Sequence, residues 1–443
     1  MKKKKQYGLI GHPLAHSLSP YIHKHIMKEC GINGTYRLYD VAPDEFDGKA
    51  GKLIKKLDGF NITIPYKEKI IPFLESTGDR EKQLGAVNTV FGGRGFNTDL
   101  LGFQACYIPF SDKRVLLLGA GGTARVMLYE AARSGAQKIT VCSRRIEQAQ
   151  KLAAEANEKF ECNIIDCCDG SKLDTYYDTI LNATPIGMWP ECDGLPLPKE
   201  LLLGAEYVFD SIYNPLATKL VLAARSYGIK TQSGLRMLYN QALEAQRIWN
   251  PDVDISEITV LAHQEKLKRK LLKEFPVKIV LTGFMGSGKT AVGKALAKSL
   301  RVGFVDLDAA IVEEKKKPIS AIFNSEGEEA FREAEKSCLL KTLQIPATIV
   351  IATGGGALID PENVTIVRKH QGFIFYLEAD LETVMARVGK TSHRPLLQGD
   401  LRDNAKDLYE KRAPIYASIA DCVVDSQANI TNVTKNIRKI LGL

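Results

Sequence analysis

The chain has 443 residues, which at roughly 150 residues per domain suggests about three domains. Hydrophobic residues make up 45% and charged residues 25%, which excludes a disordered, collagen-like or coiled-coil chain. The formal charge of +8 is modest for this length and suits anionic small molecules as well as nucleic acid.

Nine cysteines are scattered along the chain and none forms a CxxC pair. They read as reduced thiols of a cytoplasmic protein rather than as a disulfide framework. Met1 and the run Lys2 to Lys5 mimic the charged start of a signal segment, but Gln6 to Pro13 offers no apolar continuation. No stretch approaches about 18 uncharged apolar residues, so no membrane span is expected.

The region before residue 100 is dense in polar clusters: His16 to Pro20, Asn61 to Lys67, Gly85 to Thr89 and Gly95 to Asp99. Their hydroxyls and amides, with one lysine and one aspartate, suit a small polyhydroxylated substrate. Lys67 follows an alternating apolar run that ends in Pro65. A lysine held near a carboxylate can give the proton that a ketone needs when hydride reduces it. Asp99 can supply that carboxylate, cap a helix, or do both. His12 and His16 stand four apart in a Pro-containing loop with no nearby third ligand, so they do not read as a metal site. Trp189 and Trp249 read as packing residues.

Arg114 to Leu118 reads as a strand, and the periodic run to Ser134 as a helix. Between them lies Gly119-Ala120-Gly121-Gly122-Thr123-Ala124, which matches the dinucleotide fingerprint. Its glycines let backbone approach a pyrophosphate, and the helix N-terminus stabilises the charge. A second strand is expected over Lys138 to Cys142. An acid there would take the ribose 2′-hydroxyl of NAD; the chain has Ser143-Arg144-Arg145, which favours the 2′-phosphate of NADP(H).

Residues 263–275 are charged and helix-favouring, and read as a helical linker or as the last helix of the first half. Either way two functional halves result, near 1–262 and 276–443. The second half opens with a strand from Val277 to Thr282 and then Gly283-Phe284-Met285-Gly286-Ser287-Gly288-Lys289-Thr290. This is a P-loop: backbone N–H groups cradle phosphates, Lys289 reaches the β/γ-phosphates and Thr290 binds Mg²⁺. Both glycine turns open doubly wound α/β units with parallel sheets. Phe304 to Asp308 is expected to end a further strand, and alternation then sets Asp306 and Asp308 on one face. One can help hold Mg²⁺, and the other can take or orient the proton of an acceptor hydroxyl. Arg332 suits a carboxylate. Gly354, Gly355 and Gly356 follow an apolar run and let a ligand touch backbone. Arg394 and Arg412 add cations.

Eight ordered segments give 1–262 a resemblance to shikimate dehydrogenase: GHPLAHSLSP, FNITIPYK, GAVNT, FNTD, LLGAGGTAR, NATPIGM, Asp210 to Pro215 and Gly234 to Gln241. The resemblance implies a two-lobed α/β enzyme. Residues 101–234 would form a Rossmann-type NADP lobe, and 1–100 with 235–262 a substrate lobe. Lys67 and Asp99 would be the catalytic pair. Ser17, Ser19, Thr63, Asn88, Tyr213 and Gln241 would hold the substrate with them, and Gly119 to Ala124, Ser143 to Arg145 and Gly234 would hold NADP(H). The chain departs from the family pattern at Ser143-Arg144-Arg145 for Asn-Arg-Thr, at Leu100 for glycine and at His23-Lys24 for His-Asn. None of these removes a reacting group.

The second half, 276–443, resembles shikimate kinase, a P-loop α/β enzyme. GFMGSGKT, FVDLD, IFNSEGEEAFREAE, ATGGG, RPLL and the pattern Tyr409-x-x-Arg412-x-x-x-Tyr416 carry this resemblance. It implies that Asp308, Arg332, the triple glycine and Arg412 bind shikimate, with Lys289 and Asp308 acting in catalysis. Arg394 would sit on a lid over ATP, and Asp306 would support Mg²⁺ with Thr290. Leu307 stands where a small hydroxyl residue is usual. Together the resemblances imply one enzyme for two consecutive steps, with small-molecule substrates, no nucleic acid, no membrane and no obligate protein partner. Shikimate is expected to equilibrate with bulk between the sites.

Overall fold

The computed structural model describes residues 4–15, 17–170, 173–174, 176–255, 260–388 and 401–443. The chain divides into two compact units. The first comprises Met1–Thr184, Glu200–Ile212 and Ile229–Leu267; the second comprises Pro185–Lys199, Tyr213–Gly228 and Lys268–Leu443. Residues 260–274 form the helix Val260–Glu274. Among the described residues no helix is long and apolar enough to cross a membrane.

The first unit holds two sheets. One contains β1 (Lys5–Gly11), β2 (Gly34–Asp40), β3 (Gly59–Ile62), β4 (Ser76–Thr77), β5 (Thr89–Phe91) and β6 (Arg94–Phe96), in the order β2-β1-β3-β5-β6-β4. β1 runs parallel to β2 and β3, and β5 is antiparallel to β3 and β6. All four residues of β3 are buried. Its apolar run is therefore that of a central strand covered on both faces, not the alternating strand the sequence suggests.

This sheet packs against two helices, Ser19–Glu29 and Leu235–Trp249. Trp249 stacks on Tyr7 at 4.9 Å and donates its Nε1–H to the Val90 carbonyl at 3.1 Å. The helix Thr98–Gln104 lies across Leu235–Trp249 at Gly102. A Cβ there would stand 2.6 Å from Met237 O and 2.9 Å from Gln241 N, so only glycine allows the two backbones to close.

The second sheet is wholly parallel: β7 (Arg114–Leu118), β8 (Lys138–Cys142), β9 (Ile165–Cys168), β10 (Thr179–Asn182), β11 (Tyr207–Asp210) and β12 (Lys230–Ser233). Their order is β12-β11-β10-β7-β8-β9. The strand order reverses between β7 and β10, which opens a crevice at the carboxyl ends of these strands.

The second unit repeats that logic with five parallel strands: β13 (Lys278–Thr282), β14 (Gly303–Asp306), β15 (Ile349–Ala352), β16 (Gly372–Glu378) and β17 (Cys422–Asp425). The order is β14-β15-β13-β16-β17, with β13 central and buried throughout. Leu296, Ile437 and Val292 cover one face of the sheet, and Leu307, Ile322 and Leu339 the other.

The Gly102 contact makes a stability prediction. Gly102→Ala should destabilise the first unit by about 1–3 kcal/mol, because the backbone atoms it meets cannot move aside. The readout is an earlier urea midpoint by Trp249 fluorescence in a Trp189→Phe background. An unchanged midpoint would mean that the two helices separate freely.

Two candidate active sites

The chain leaves β1 and β3 at neighbouring carboxyl ends. His12 N–H donates to Ile64 O at 3.0 Å there, and the Thr63 methyl fills the space beside Gly11. Lys67 follows and is tied back by Val87 N–H on its carbonyl at 2.8 Å. The β5–β6 hairpin brings Asn88 and Asp99 to the same edge. Lys67 Nζ donates to Asp99 Oδ2 at 2.6 Å, and the two side chains keep 24% and 18% exposure, enough to meet a ligand. Asp99 lies in the first turn of Thr98–Gln104, where the helix dipole favours a carboxylate. It is not the cap. Asn97 caps that helix by accepting Leu100 N–H at 3.0 Å.

A buried polar network fixes this edge. Asn88 Oδ1 accepts Thr98 N–H at 2.6 Å. Asn61 Nδ2 donates to Asn88 O at 3.2 Å and to Thr89 Oγ1 at 2.9 Å. Thr89 and Thr98 hydroxyls meet at 2.9 Å. Such a network, with its members paired, rigidifies the segments that carry it. Ser17 and Ser19 follow β1, with Ser19 N–H donating to Ser17 Oγ at 3.3 Å. Gln241 is buried on the helix that packs at Gly102, its Nε2 donating to Leu238 O at 3.0 Å. Tyr213 falls in the second unit, where burial raises its phenol.

The dinucleotide turn lies at the end of β7. Gly119 has φ 106°, and its Cβ would stand 3.2 Å from the Ala183 carbonyl. Gly121 and Gly122 open the helix Gly122–Arg133, and a Cβ on either would meet nothing within 4 Å. Open backbone at a helix N-terminus fits a pyrophosphate. Ser143, Arg144 and Arg145 follow β8, both arginines are exposed, and Ser143 Oγ accepts Arg145 N–H at 3.2 Å. Two exposed cations at the strand end fit a 2′-phosphate. At Gly234 a Cβ would stand 1.9 Å from Ser211 O, so backbone alone fits there.

The second site grows from β13. Gly283, Gly286 and Gly288 have φ of 144°, 77° and 93°, the conformations that turn N–H groups into a loop's interior. Lys289 Nζ donates to Gly283 O at 2.8 Å and Phe284 O at 2.9 Å. Ser287 Oγ is buried with no hydrogen-bond partner among the described residues, a polar atom suited to a phosphate oxygen. Thr290 Oγ1 donates to Asp306 Oδ2 at 2.6 Å, which sets two oxygens suited to Mg²⁺ side by side.

The strand expected to carry both aspartates ends at Asp306, which corrects that reading. Asp306 caps the helix Leu307–Lys315 by accepting Ala309 N–H at 3.2 Å, and Asp308 lies in its first turn. The Leu307 backbone turns into helix, so strand alternation does not relate the two carboxylates. Asp306 goes to Thr290. Asp308 goes to the triple glycine: a Cβ on Gly354 would stand 2.8 Å from Asp308 Oδ1 and 2.4 Å from Glu335 Oε1. On Gly356 it would stand 2.4 Å from Arg332 Nη1, and on Gly355 3.8 Å from Arg412 Nη1 and from Tyr416 Oη. The glycines thus gather two acids and two arginines around bare backbone.

Sequence reasoning gave no site role to three groups here. Glu335 is 1% exposed, and its Oε2 accepts Arg332 Nη1–H at 2.7 Å. Burial pushes its carboxyl up, Arg332 offsets this, and Asp308 adds to it. Its Oε1 has no partner among the described residues. Tyr416 donates to Gly355 O, and burial pushes its phenol up to about 12. Arg387 donates to Gly286 O at 3.4 Å and to Ser426 O at 3.0 Å, flanking the P-loop. The available signal was spacing: Glu335 is three residues after Arg332 and Tyr416 four after Arg412, hence on one helix face. Among the described residues no three His, Cys, Asp or Glu side chains could hold a metal ion together. His16 and Arg394 lie outside the described residues.

Comparison with known proteins finds two families along the chain. Family models match at residues 9–90 (shikimate dehydrogenase substrate binding domain), 104–185 (shikimate / quinate 5-dehydrogenase) and 285–441 (shikimate kinase). A shikimate dehydrogenase (NADP(+)) of Caldanaerobacter subterraneus subsp. tengcongensis is 36% identical over 257 residues, 55% of this chain and 91% of that protein. The crystal structure of a Thermus thermophilus shikimate 5-dehydrogenase with NADP(H) and shikimate is 31% identical, with TM-score 0.52, covering 60% of this chain and 100% of that one. A chorismate mutase/shikimate 5-dehydrogenase fusion protein from Clostridium acetobutylicum is 34% identical, with TM-score 0.55, covering 61% of this chain and 99% of that one. The chain therefore belongs to the shikimate dehydrogenase family and carries a shikimate kinase domain after it, a bifunctional enzyme of the shikimate pathway.

Proposed function

We propose that the chain reduces 3-dehydroshikimate to shikimate with NADPH and then transfers phosphate from ATP, with Mg²⁺, to the shikimate 3-hydroxyl. The observation that supports this most is the triple-glycine cradle. It offers two arginines for a carboxylate and two acids for hydroxyls, and it lies in one chain with the Lys67–Asp99 couple. The product of one site has the shape and charge of the acceptor at the other.

We divide the chain accordingly into a substrate lobe (1–100 and 235–262), an NADP lobe (101–234), a helical linker (263–275) and a kinase domain (276–443). When bound, the nicotinamide supplies hydride. Lys67 holds a proton at Nζ for the oxygen that becomes the hydroxyl, and Asp99 orients it. Asn88 has its Oδ1 committed to Thr98, so its amide N–H groups serve the substrate. Ser17, Ser19, Thr63, Tyr213 and Gln241 bind the remaining hydroxyls and the carboxylate. Gly119 to Ala124 and Gly234 meet the dinucleotide, and Ser143, Arg144 and Arg145 its 2′-phosphate.

In the second site, Gly283 to Thr290 cradle the triphosphate, and Lys289 shifts from carbonyls to phosphate oxygens. Thr290 and Asp306 hold Mg²⁺. Arg332 and Arg412 clamp the shikimate carboxylate, and Asp308 accepts the proton of the attacking hydroxyl. Glu335 and Gly354 to Gly356 orient the ring.

Incubating the enzyme with 3-dehydroshikimate, NADPH, ATP and Mg²⁺ should yield shikimate 3-phosphate; no product from either cosubstrate would refute the reading. Lys67→Ala should lower reduction by about 10²- to 10⁴-fold and leave phosphorylation intact. Lys289→Ala should do the reverse, with phosphorylation down at least about 10²-fold. Replacing both Arg144 and Arg145 by Ser should lower kcat/KM for NADPH about 10- to 100-fold relative to NADH, as loss of charge-assisted hydrogen bonds requires.

A further inference from the structure

Two cysteines stand where the dinucleotide turn meets the arginines after β8. β8 ends at Cys142 and β9 at Cys168, and the parallel register sets these two residues side by side. Gly119 N–H donates to Cys142 O at 2.7 Å, and Ser143 N–H donates to Cys168 O at 3.0 Å. Cys142 immediately precedes Ser143-Arg144-Arg145. The carbonyls of this pair thus hold two of the residues assigned above to NADP(H).

Both thiols are free, and they hydrogen-bond one another. Adjacent strands lie about 4.8 Å apart, inside the roughly 4.4–6.8 Å between Cα atoms that a disulfide spans. Cys168 lines a cavity of about 590 Å³ with Thr140, Asp166 and Tyr177, which gives a small polar reagent room to reach it. Cys142 is partly exposed, and it is flanked by Gly170, where even a Cβ would stand 3.6 Å from Cys142 Sγ. Burial, with Cys168 adding to it, pushes the Cys142 thiol up to about 12, so Cys142 stays protonated and Cys168 meets a reagent first. The neighbouring Cys167 joins the core that holds Ile139 and Val141. Alternation along β9 turns it away from Cys168.

We propose that Cys142 and Cys168 are a modification site, a thiol pair that a hydroperoxide closes to a disulfide and that thereby weakens the hold on NADP(H). The proposal rests on the reading of Gly119 and of Ser143 to Arg145 as NADP(H) groups. Cys168 sulfur, its proton lost to solvent, attacks one peroxide oxygen. The O–O bond breaks, a sulfenic acid forms, and the departing hydroxide takes up a proton as water. Cys142 sulfur then attacks the sulfenic sulfur, and its proton leaves with the hydroxyl group as a second water. The two sulfurs lose two electrons between them, and hydrogen peroxide is reduced to two waters. The new bond needs Cβ atoms about 3.8 Å apart, closer than the strand spacing. The ends of β8 and β9 must draw together, and the carbonyls that hold Gly119 and Ser143 move with them. Lys67 and Asp99 belong to the edge of the other sheet and keep their contact.

The test treats the reduced full chain with hydrogen peroxide, removes the excess with catalase and blocks remaining thiols with iodoacetamide. Peptide mass spectrometry should find Cys142 joined to Cys168, two hydrogens lighter than the separate peptides. The dehydrogenase KM for NADPH should rise about three- to tenfold, as loss of one hydrogen bond requires, at a kcat within about twofold. Dithiothreitol should reverse both changes. Cys142→Ser, which keeps the other eight cysteines, should show neither the crosslink nor the rise in KM. Cys168→Ala gives the same comparison if Cys142→Ser folds poorly. A crosslink to any other cysteine in place of this one, or none, overturns the proposal. So does a KM that peroxide still raises in the variants, or specific activity that falls at unchanged KM. The Arg144 and Arg145 variant separates the two ideas. If it leaves the preference for NADPH unchanged, the 2′-phosphate reading fails, while the crosslink is still judged by mass. If it lowers that preference and the crosslinked enzyme keeps its KM for NADPH, the proposed weakening alone is overturned.

Discussion

Both nucleotide sites depend on one constraint: a central parallel strand must pass into a helix with no side chain at the corner. The corner is closed from the side by the neighbouring strand across the reversal of strand order. At β7 a Cβ on Gly119 would stand 3.2 Å from the Ala183 carbonyl that follows β10. At β13 a Cβ on Gly283 would stand 2.7 Å from Leu377 O in β16. Both glycines also have positive φ, so sterics and backbone geometry agree. Only then do free N–H groups and a helix N-terminus face a phosphate together.

In the candidate sites several charged groups are already paired. Lys67 holds Asp99, Thr290 holds Asp306, Arg332 holds Glu335, and Lys289 rests on two carbonyls. A half-buried charge without a partner is costly, so pairing keeps each site stable and its donors aimed. Glu335 Oε1 and Ser287 Oγ are buried without a partner among the described residues, and both lie where a ligand's polar atoms are expected. The Asn61–Asn88–Thr89–Thr98 network serves the same end with uncharged groups.

Sequence order and packing order differ. Residues 185–199 and 213–228 belong by resemblance to the first enzyme, yet they share a hydrophobic core with the P-loop fold. The cause is burial. The eight-residue helix Lys219–Ser226, with five consecutive sheltered residues, cannot satisfy itself against one neighbour.

The strand–glycine–helix units, the arginines after β8 and the P-loop were legible in the residues, because each is set by φ preferences and hydrogen bonds within a few positions. Lys67, Asp99 and Arg332 were legible through ordered motifs. The division of labour between Asp306 and Asp308 was not, since it turns on a strand that gives way to helix two residues earlier than alternation assumes. Glu335 could not be told from a surface acid until Gly354 came against it from a distant strand end. Nor could any local pattern assign the Lys219 helix to the second core. Turn chemistry is written in adjacent residues; burial and charge pairing arise between segments far apart in sequence, and only folding brings those faces together.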